Sequence, residues 1–290
     1  MNAAAGRDVT LRLLGPGEPP VRAGINPQQV VSVLFETDID TWRRGWLGPT
    51  DRTPAQEGIV MASDTTRSVS AAGPAGTHVI PRERLAYTLL DGPQAAAPVI
   101  EAVRDLLVRT GTVASTVFVD DLAAADMDRS ERLTLLIDLL TLVSDSGGAV
   151  VIGCSPERAG GALVDQLLQK ANRVRVTDYR WVERVERLRR SDPTTYGYVR
   201  QHWAEAAQGI QACGRNYPQA KQVHSSLVDP RTNSRTLGMT LSGLASLSVL
   251  GTWNDTVGPT RYDLTAYDPA ALTHTGVAFS LVSGQVHAER

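Results

Sequence analysis

The sequence is poor in cysteine and lysine, two residues on which many binding sites depend. Its 290 residues hold two cysteines, Cys154 and Cys213, and neither has a CxxC or metal-ligand spacing around it. A disulfide framework and a cysteine-based metal site are therefore excluded, and a reduced, cytoplasmic protein is expected. Lys170 and Lys221 are the only lysines, so nearly all of the positive charge is arginine.

The scarcity of lysine bears on phosphate binding. A phosphate loop needs glycines, whose backbone N–H groups converge on the phosphates, and then a lysine that reaches the terminal phosphate. No GxxxxGK[ST] motif occurs, and neither lysine follows a glycine-rich turn. The segment GPGEPP at 15–20 has glycines, but its prolines lack the N–H donors that such a loop supplies. We therefore expect no ordinary P-loop hydrolysis, no cofactor and no bound metal.

Long hydrophobic runs and charge of one sign are also missing. No apolar stretch approaches the roughly 18 residues that span a bilayer, and 29 basic against 31 acidic residues give a net charge of −2. No membrane partner is expected, and composition alone indicates no strong field for nucleic acid. The hydrophobic share of 42% is enough to bury a core, and the length favours two domains.

Short apolar runs alternate with helical patterns from residue 30 to about 178. The runs VVSVLFET, EGIVMAS, TVFVDD, AVVIGCS and RVRVTD are typical of parallel strands buried on both faces. We therefore predict an α/β domain over residues 1–181, with a parallel sheet covered by helices. In the helix after TVFVDD, helical spacing places five apolar residues on the face toward the sheet: Leu133, Leu136, Ile137, Leu140 and Val143.

The pattern changes after RVRVTD. The charged stretch over 182–192 predicts a connecting helix, and Pro193 starts a second domain that runs to residue 290. Three helical patterns, in TYGYVRQHWAEAAQGIQAC, YPQAKQVHSSL and SRTLGMTLSGLASLSVLG, precede two β-type runs, TWNDTV and TRYDLTAY. Three helices followed by a hairpin is the order of a winged helix-turn-helix domain, whose third helix is the candidate reader of DNA.

Two groups of polar residues are predicted at the carboxyl edge of the sheet, where open α/β sheets bind ligands. Asp120 and Asp121 end the TVFVDD strand, where they fit either the remnant of a metal site or a cap on the strand end. Thr65, Thr66 and Arg67 follow EGIVMAS, where they fit either a small anion site or the start of a helix. The residues alone leave both choices open.

The distal domain has a candidate DNA surface at the start of its third helix and in its hairpin. Arginine and short polar side chains in these places fit contacts with phosphates or base edges. Asp255, Asp263 and Asp268 would repel phosphate, so a surface that binds protein fits the same pattern. The predicted DNA-binding residues are Arg231, Arg235, Thr236, Thr240, Trp253, Asn254 and Arg261.

These segments resemble a known family. The succession VVSVLFETDIDTWRRGW, EGIVMASDTTRS, TVFVDDLAAADMDRSERLTLLIDLLTLVSDSGGAVVIGC and RVRV is similar to RecA/KaiC-like proteins of haloarchaea, many of which lack the phosphate loop. The stretch RTLGMTLSGLASLSVLGTWNDTVGPTRYDLTAYDP, with the helices before it, looks like the winged-helix region of such proteins. The resemblance implies a RecA-like domain without hydrolytic competence, in which Asp120 and Asp121 remain from a nucleotide site.

The residues and the resemblance together predict a non-enzymatic regulatory or DNA-associated protein. Its first domain would mediate self-association or sense a ligand, and its second would contact double-stranded DNA. Two alternatives stay open: a nucleotide-dependent signalling ATPase with an atypical phosphate site, and a scaffold whose winged helix binds only protein. We also expect a homo-oligomer or a partner protein.

Overall fold

The structure, a computed structural model, describes residues 8–14, 29–44, 56–62, 76–80, 85–90, 95–110, 115–144, 147–176, 179–253 and 259–288. The chain divides into two compact units. The first consists of Met1–Arg158 and Ala171–Arg175, and the second of Ala159–Lys170 and Val176–Arg290. The predicted domain boundary after residue 181 falls within a helix of the second unit.

The first unit alternates strands with helices. A single turn of 3₁₀ helix, Leu122–Ala124, follows its sixth strand. The strands are β1 (Asp8–Leu13), β2 (Gln29–Leu34), β3 (Gln56–Met61), β4 (Gly76–Ile80), β5 (Leu85–Leu89), β6 (Thr116–Val119), β7 (Ala149–Cys154) and β8 (Arg173–Arg175). The helices are α1 (Ile39–Arg44), α2 (Ala96–Thr110) and α3 (Arg129–Ser144), while α4 (Pro156–Lys170) continues into the second unit.

In the part of the first unit that the structure describes, the strands form one sheet in the order β8-β1-β7-β6-β2-β3-β5-β4. Neighbouring strands are parallel, except that β4 pairs antiparallel with β5. The predicted α/β class, with a large parallel sheet flanked by helices, is confirmed. Because the strands are parallel, the residues that follow β2, β6 and β7 meet at one edge of the sheet.

Helices cover both faces of this sheet. On one face, the Trp42 ring of α1 lies 6.2 Å from the Phe118 ring, and Trp42 Nε1 donates to Ser32 Oγ at 2.9 Å. On the other face, α2 places Leu106 against Gly58 of β3. Burial on both faces explains why β2, β6 and β7 are almost continuously apolar, whereas in β1 the polar Thr10 and Arg12 alternate with apolar residues.

The face that α3 buries differs from the predicted one. Ile137 was expected to face the sheet, and it is 49% exposed. Leucine and isoleucine occur on nearly every side of this helix, so spacing alone could not select the buried face. The residues that α3 buries are Leu135, Leu136, Leu139, Leu140 and Val143.

The second unit is mostly helical. Its strands are short, with two or three residues each. Its elements are α5 (Arg180–Ser191), α6 (Pro193–Ala212), α7 (Ala220–His224), α8 (Ser234–Ser246), β9 (Gly251–Trp253), β10 (Arg261–Asp263), α9 (Pro269–Val282) and β11 (His287–Ala288).

The helix α6 packs against α5, α7, α8 and α9, so it lies at the centre of the second unit. Its first turn is fixed by Asp192, whose carboxylate accepts from the Thr195 backbone N–H at 3.0 Å. Close approach to α6 depends on glycine: a Cβ on Gly243 of α8 would collide with Val199, and one on Gly276 of α9 with Trp203. The large and apolar residues that recur at helical spacing along α6 are all buried: Tyr196, Val199, Trp203, Ala206 and Ile210.

The two predicted β-type runs form an antiparallel hairpin, in which Arg261 of β10 pairs with Trp253 of β9. The chain between α6 and α7 also pairs with β10. Gln219 forms an antiparallel bridge to Arg261, and the Tyr262 N–H donates to the Pro218 carbonyl at 3.0 Å. The hairpin is therefore anchored from both sides of β10.

Candidate functional site

At the carboxyl edge of the sheet, the chain changes direction between β2 and β6. These strands are neighbours, and the chain leaves β2 toward β3 on one side and leaves β6 toward β7 on the other. Such a change of direction opens a gap at the carboxyl ends of the two strands, and it is the usual ligand position in open α/β sheets. Asp120 and Asp121, which directly follow β6, lie at this position.

The Asp120 carboxylate lies between the ends of β2 and β6 and accepts hydrogen bonds from four backbone N–H groups. Oδ1 accepts from Phe35 at 2.8 Å and from Asp121 at 2.6 Å, while Oδ2 accepts from Glu36 at 3.0 Å and from Thr37 at 2.8 Å. Three of these donors are consecutive residues after β2. Converging N–H groups of this kind make an anion-binding concavity, and here the anion is a side chain of the same unit.

Asp121 is bound to the segment that follows β7. Its Oδ1 accepts from the Ala123 N–H at 2.9 Å, which caps the 3₁₀ turn, and from the Ser155 N–H at 3.0 Å. The Ser155 hydroxyl donates to Oδ2, and Arg158 Nη1 lies 3.9 Å from the same oxygen. Arg158 also binds Glu36, with Nη2 at 2.8 Å from Oε1. The segments after β2, β6 and β7 are thus joined by one polar network.

Burial controls the electrostatics of this edge. Desolvation raises the pKa of Asp120, although the four N–H donors act in the opposite direction by favouring the carboxylate. Burial and the nearby Asp121 charge raise the pKa of the Cys154 thiol, which keeps it protonated. The hydrogen bond with Glu36 raises the pKa of Arg158. Within the described residues, no three His, Cys, Asp or Glu side chains gather as metal ligands would.

The described residues bring together only part of the predicted sheet-edge site. Asp120 and Asp121 lie side by side and are nearly fully buried. Glu36, Ser155 and Arg158 join them without having been predicted, and their position directly after neighbouring strands was the available signal. The predicted anion-site residues Thr65, Thr66 and Arg67 lie outside the described residues, and so does the segment at 15–20.

A second candidate site is the outer face of α8. Arg235, Met239 and Ser242 are exposed along it at helical spacing, while the leucines of α8 are buried. Arg231 is exposed just before the helix, and Glu205 of α6 holds this segment by accepting from the Arg231 N–H at 2.7 Å. The leading end of α8 therefore presents two arginines to solvent.

Two of the predicted α8 contacts have different surroundings. Thr240 is fully buried, and its hydroxyl donates to the Thr236 carbonyl at 3.1 Å, so its side chain is not on the exposed face of α8 where the predicted DNA contact would lie. Helical spacing could have revealed this burial, because Thr240 lies three residues after the buried Leu237 and next to the buried Leu241. Thr236 is half-buried, and its N–H is bound by the Asn233 side chain at 2.9 Å.

The hairpin adds exposed side chains beside α8. Trp253 and Arg261 are exposed, whereas Asn254 lies outside the described residues. Tyr262 is buried beneath them; its hydroxyl lies 2.9 Å from Ser242 Oγ and donates to the Gly238 carbonyl at 3.1 Å, which ties β10 to α8. Burial raises the pKa of Tyr262, so this hydroxyl stays protonated at neutral pH.

Comparison with known proteins identifies no relative: no protein-family model, no curated protein and no solved structure matches the chain. A scan of the described helices for a membrane-spanning segment finds none of sufficient length and hydropathy.

Proposed function

We propose that this protein is a non-enzymatic, DNA-associated regulatory protein whose second unit contacts duplex DNA through α8. The observation that carries the proposal is the exposed face of α8, with Arg231 and Arg235 at its leading end and Met239 and Ser242 behind them. Arginine at the leading turn of an exposed helix suits phosphate contacts and base edges in a major groove.

The surroundings of α8 support a winged helix-turn-helix arrangement. The helices α6, α7 and α8 precede the β9–β10 hairpin, and the chain before α7 joins β10 through Gln219. The hydroxyl of Tyr262 fixes the hairpin against α8. An exposed helix with a hairpin held beside it can place the helix in a groove and the hairpin on the neighbouring backbone.

Two features of the first unit support the proposal that it is a degenerate RecA-like domain. In nucleotide-binding α/β domains the phosphate loop follows a strand. Here GPGEPP at 15–20 has that place in the sequence, because it follows β1, and only β7 lies between β1 and β6 in the sheet. The oxygens of Asp120 are taken by four N–H groups, and those of Asp121 by Ser155 and the 3₁₀ cap. Because these carboxylates bind the chain itself, we propose that the first unit serves self-association or ligand sensing and does not hydrolyse nucleotides.

A salt titration of binding to random duplex DNA tests the proposal. The logarithm of the association constant should fall linearly with the logarithm of the salt concentration, because each phosphate contact releases counterions. Arg235→Ala should lower the magnitude of this slope by about one. The matched control is Arg104→Ala, which removes an exposed arginine from α2 in the first unit and should leave the slope unchanged.

The same titration distinguishes the alternatives. If no duplex binds at low salt, the DNA proposal fails and a scaffold that binds only protein is favoured. If Arg104→Ala changes the slope as much as Arg235→Ala does, the binding is not located on α8.

A further inference from the structure

Two aromatic side chains form an exposed pair on the hairpin side of the second unit. Tyr217 lies before α7 and Trp253 ends β9, and their ring centroids are 5.2 Å apart with a tilt of 55°. Tyr217 is 39% exposed and Trp253 is 49% exposed. We call these two side chains the aromatic pair.

The chain beneath the aromatic pair is held firmly. Arg261 lies opposite Trp253 in the hairpin, bridges to Gln219, and donates from Nη1 to the Tyr217 carbonyl at 3.3 Å. The Leu264 N–H donates to the Asn216 carbonyl at 2.9 Å on the far side of Tyr217. The backbone that carries the aromatic rings is therefore already held in place before a ligand binds, which lowers the entropy cost of binding.

A guanidinium accompanies the two rings. Arg261 is exposed; its Nη1 donates to the backbone carbonyl of Tyr217, and the residue lies opposite Trp253 in the hairpin. Aromatic faces combined with an arginine are the features by which proteins hold single-stranded nucleic acid, because each base stacks on a ring while the cation attracts the phosphate. A proline-rich peptide would also stack on the rings, but it would gain nothing from the positive charge.

We propose that the aromatic pair binds unpaired bases of a nucleic-acid strand, with Arg261 on the adjacent phosphate. The inference rests on the proposed function and deepens it, since it gives the hairpin a ligand class that α8 does not share. A DNA segment with an opened or single-stranded stretch would then engage α8 through its duplex part and the aromatic pair through its exposed bases.

The fluorescence anisotropy of a labelled oligothymidylate of about 12 nucleotides, measured as protein is added, tests the inference. Trp253→Ala and Tyr217→Ala should each weaken binding about 5- to 150-fold, the range expected for the loss of one stacked base. Trp253→Phe keeps a ring and should retain most of the affinity. Tyr179→Ala removes another exposed aromatic ring from the second unit and should have no effect.

Duplex binding is measured in parallel, so that the two proposals can fail separately. If duplex binds with the Arg235-dependent salt slope but the oligothymidylate does not bind, or binds Trp253→Ala and wild type equally, the aromatic-pair inference is overturned and the α8 proposal stands. Binding of a polyproline peptide in place of the oligothymidylate also overturns it. Thermal unfolding of each variant checks that these surface changes leave the fold intact.

Discussion

At the scale of single residues, the Asp120 carboxylate holds the segment after β2 against the end of β6. Four N–H groups converge on it, and three of them belong to Phe35, Glu36 and Thr37. No local pattern in the sequence could reveal the contact with these three donors, because they lie more than 80 residues before Asp120. The sequence predicted the position of Asp120 at the sheet edge, and it left open whether the side chain would face a ligand or the chain.

Asp120→Asn tests whether this carboxylate is structural. An amide turns an N–H group toward backbone donors and leaves some of them unsatisfied, so the free energy of unfolding should fall by about 2–4 kcal/mol. Asp128→Asn is the control, because Asp128 caps α3 at an exposed site and asparagine caps equally well. Denaturant unfolding measures both variants.

The signalling-ATPase alternative gives the opposite pattern. If a catalytic metal were bound through Asp120, nucleotide hydrolysis by the wild type would stop in Asp120→Asn while the unfolding midpoint stayed the same. Hydrolysis of that kind would overturn the structural assignment of Asp120.

At the scale of elements, periodicity predicted the helices that have one apolar face. In α2 the apolar residues at helical spacing, Val99, Val103, Leu106 and Leu107, are all buried, and so is the apolar face of α6. The prediction for α3 is correct for Leu136, Leu140 and Val143 and wrong for Ile137, because leucines surround the helix and the packing of neighbours decides which side is buried.

The elements missing from the prediction have identifiable causes. β1, β4 and β5 lie near proline or glycine, which indicates irregular chain in the sequence. α9 was missed although its ends carry signals: Asp268 accepts from the first N–H groups, Pro269 follows, and Gly284 after the helix has a φ of 73°. Its apolar residues have no single face because α9 is buried on several sides, so the amphipathic pattern is absent.

The cap of α6 gives the second unit a dependence on pH. Hydrogen bonds from Thr195 lower the pKa of Asp192. A carboxyl whose folded pKa is depressed contributes stability above its unfolded pKa of about 3.9, and this stability is lost as the pH falls through the lower folded value. The unit should therefore lose stability between about pH 4 and strongly acidic conditions.

Asp192→Asn separates this effect from general acid unfolding. Asparagine keeps the cap but does not titrate, so the variant should lose less stability than the wild type when the pH falls from about 6 to about 3. Denaturant midpoints at the two pH values provide the comparison. Equal losses in the two proteins would show that the Asp192 cap contributes nothing to the pH dependence.

At the scale of the whole molecule, the two units have different chemistry at their candidate sites. At the sheet edge of the first unit, Asp120 and Asp121 accept hydrogen bonds from backbone N–H groups and from Ser155, and Arg158 lies near Asp121. These carboxylates therefore belong to a satisfied polar network. At the candidate surfaces of the second unit, Arg231, Arg235 and Arg261 are exposed, and so are Tyr217 and Trp253. A net charge of −2 hides this division, so composition alone could not identify where a polyanion would bind.

Photo-crosslinking from the surface of α8 tests the central claim most directly. A photoreactive benzoylphenylalanine replaces Met239 of α8 in one variant and Ile137 of α3 in another; both positions are exposed apolar residues, so the fold should tolerate the change. Irradiation with duplex DNA should crosslink the Met239 variant and not the Ile137 variant. DNA binding without a crosslink from position 239, or crosslinks from position 137 instead, would contradict the account.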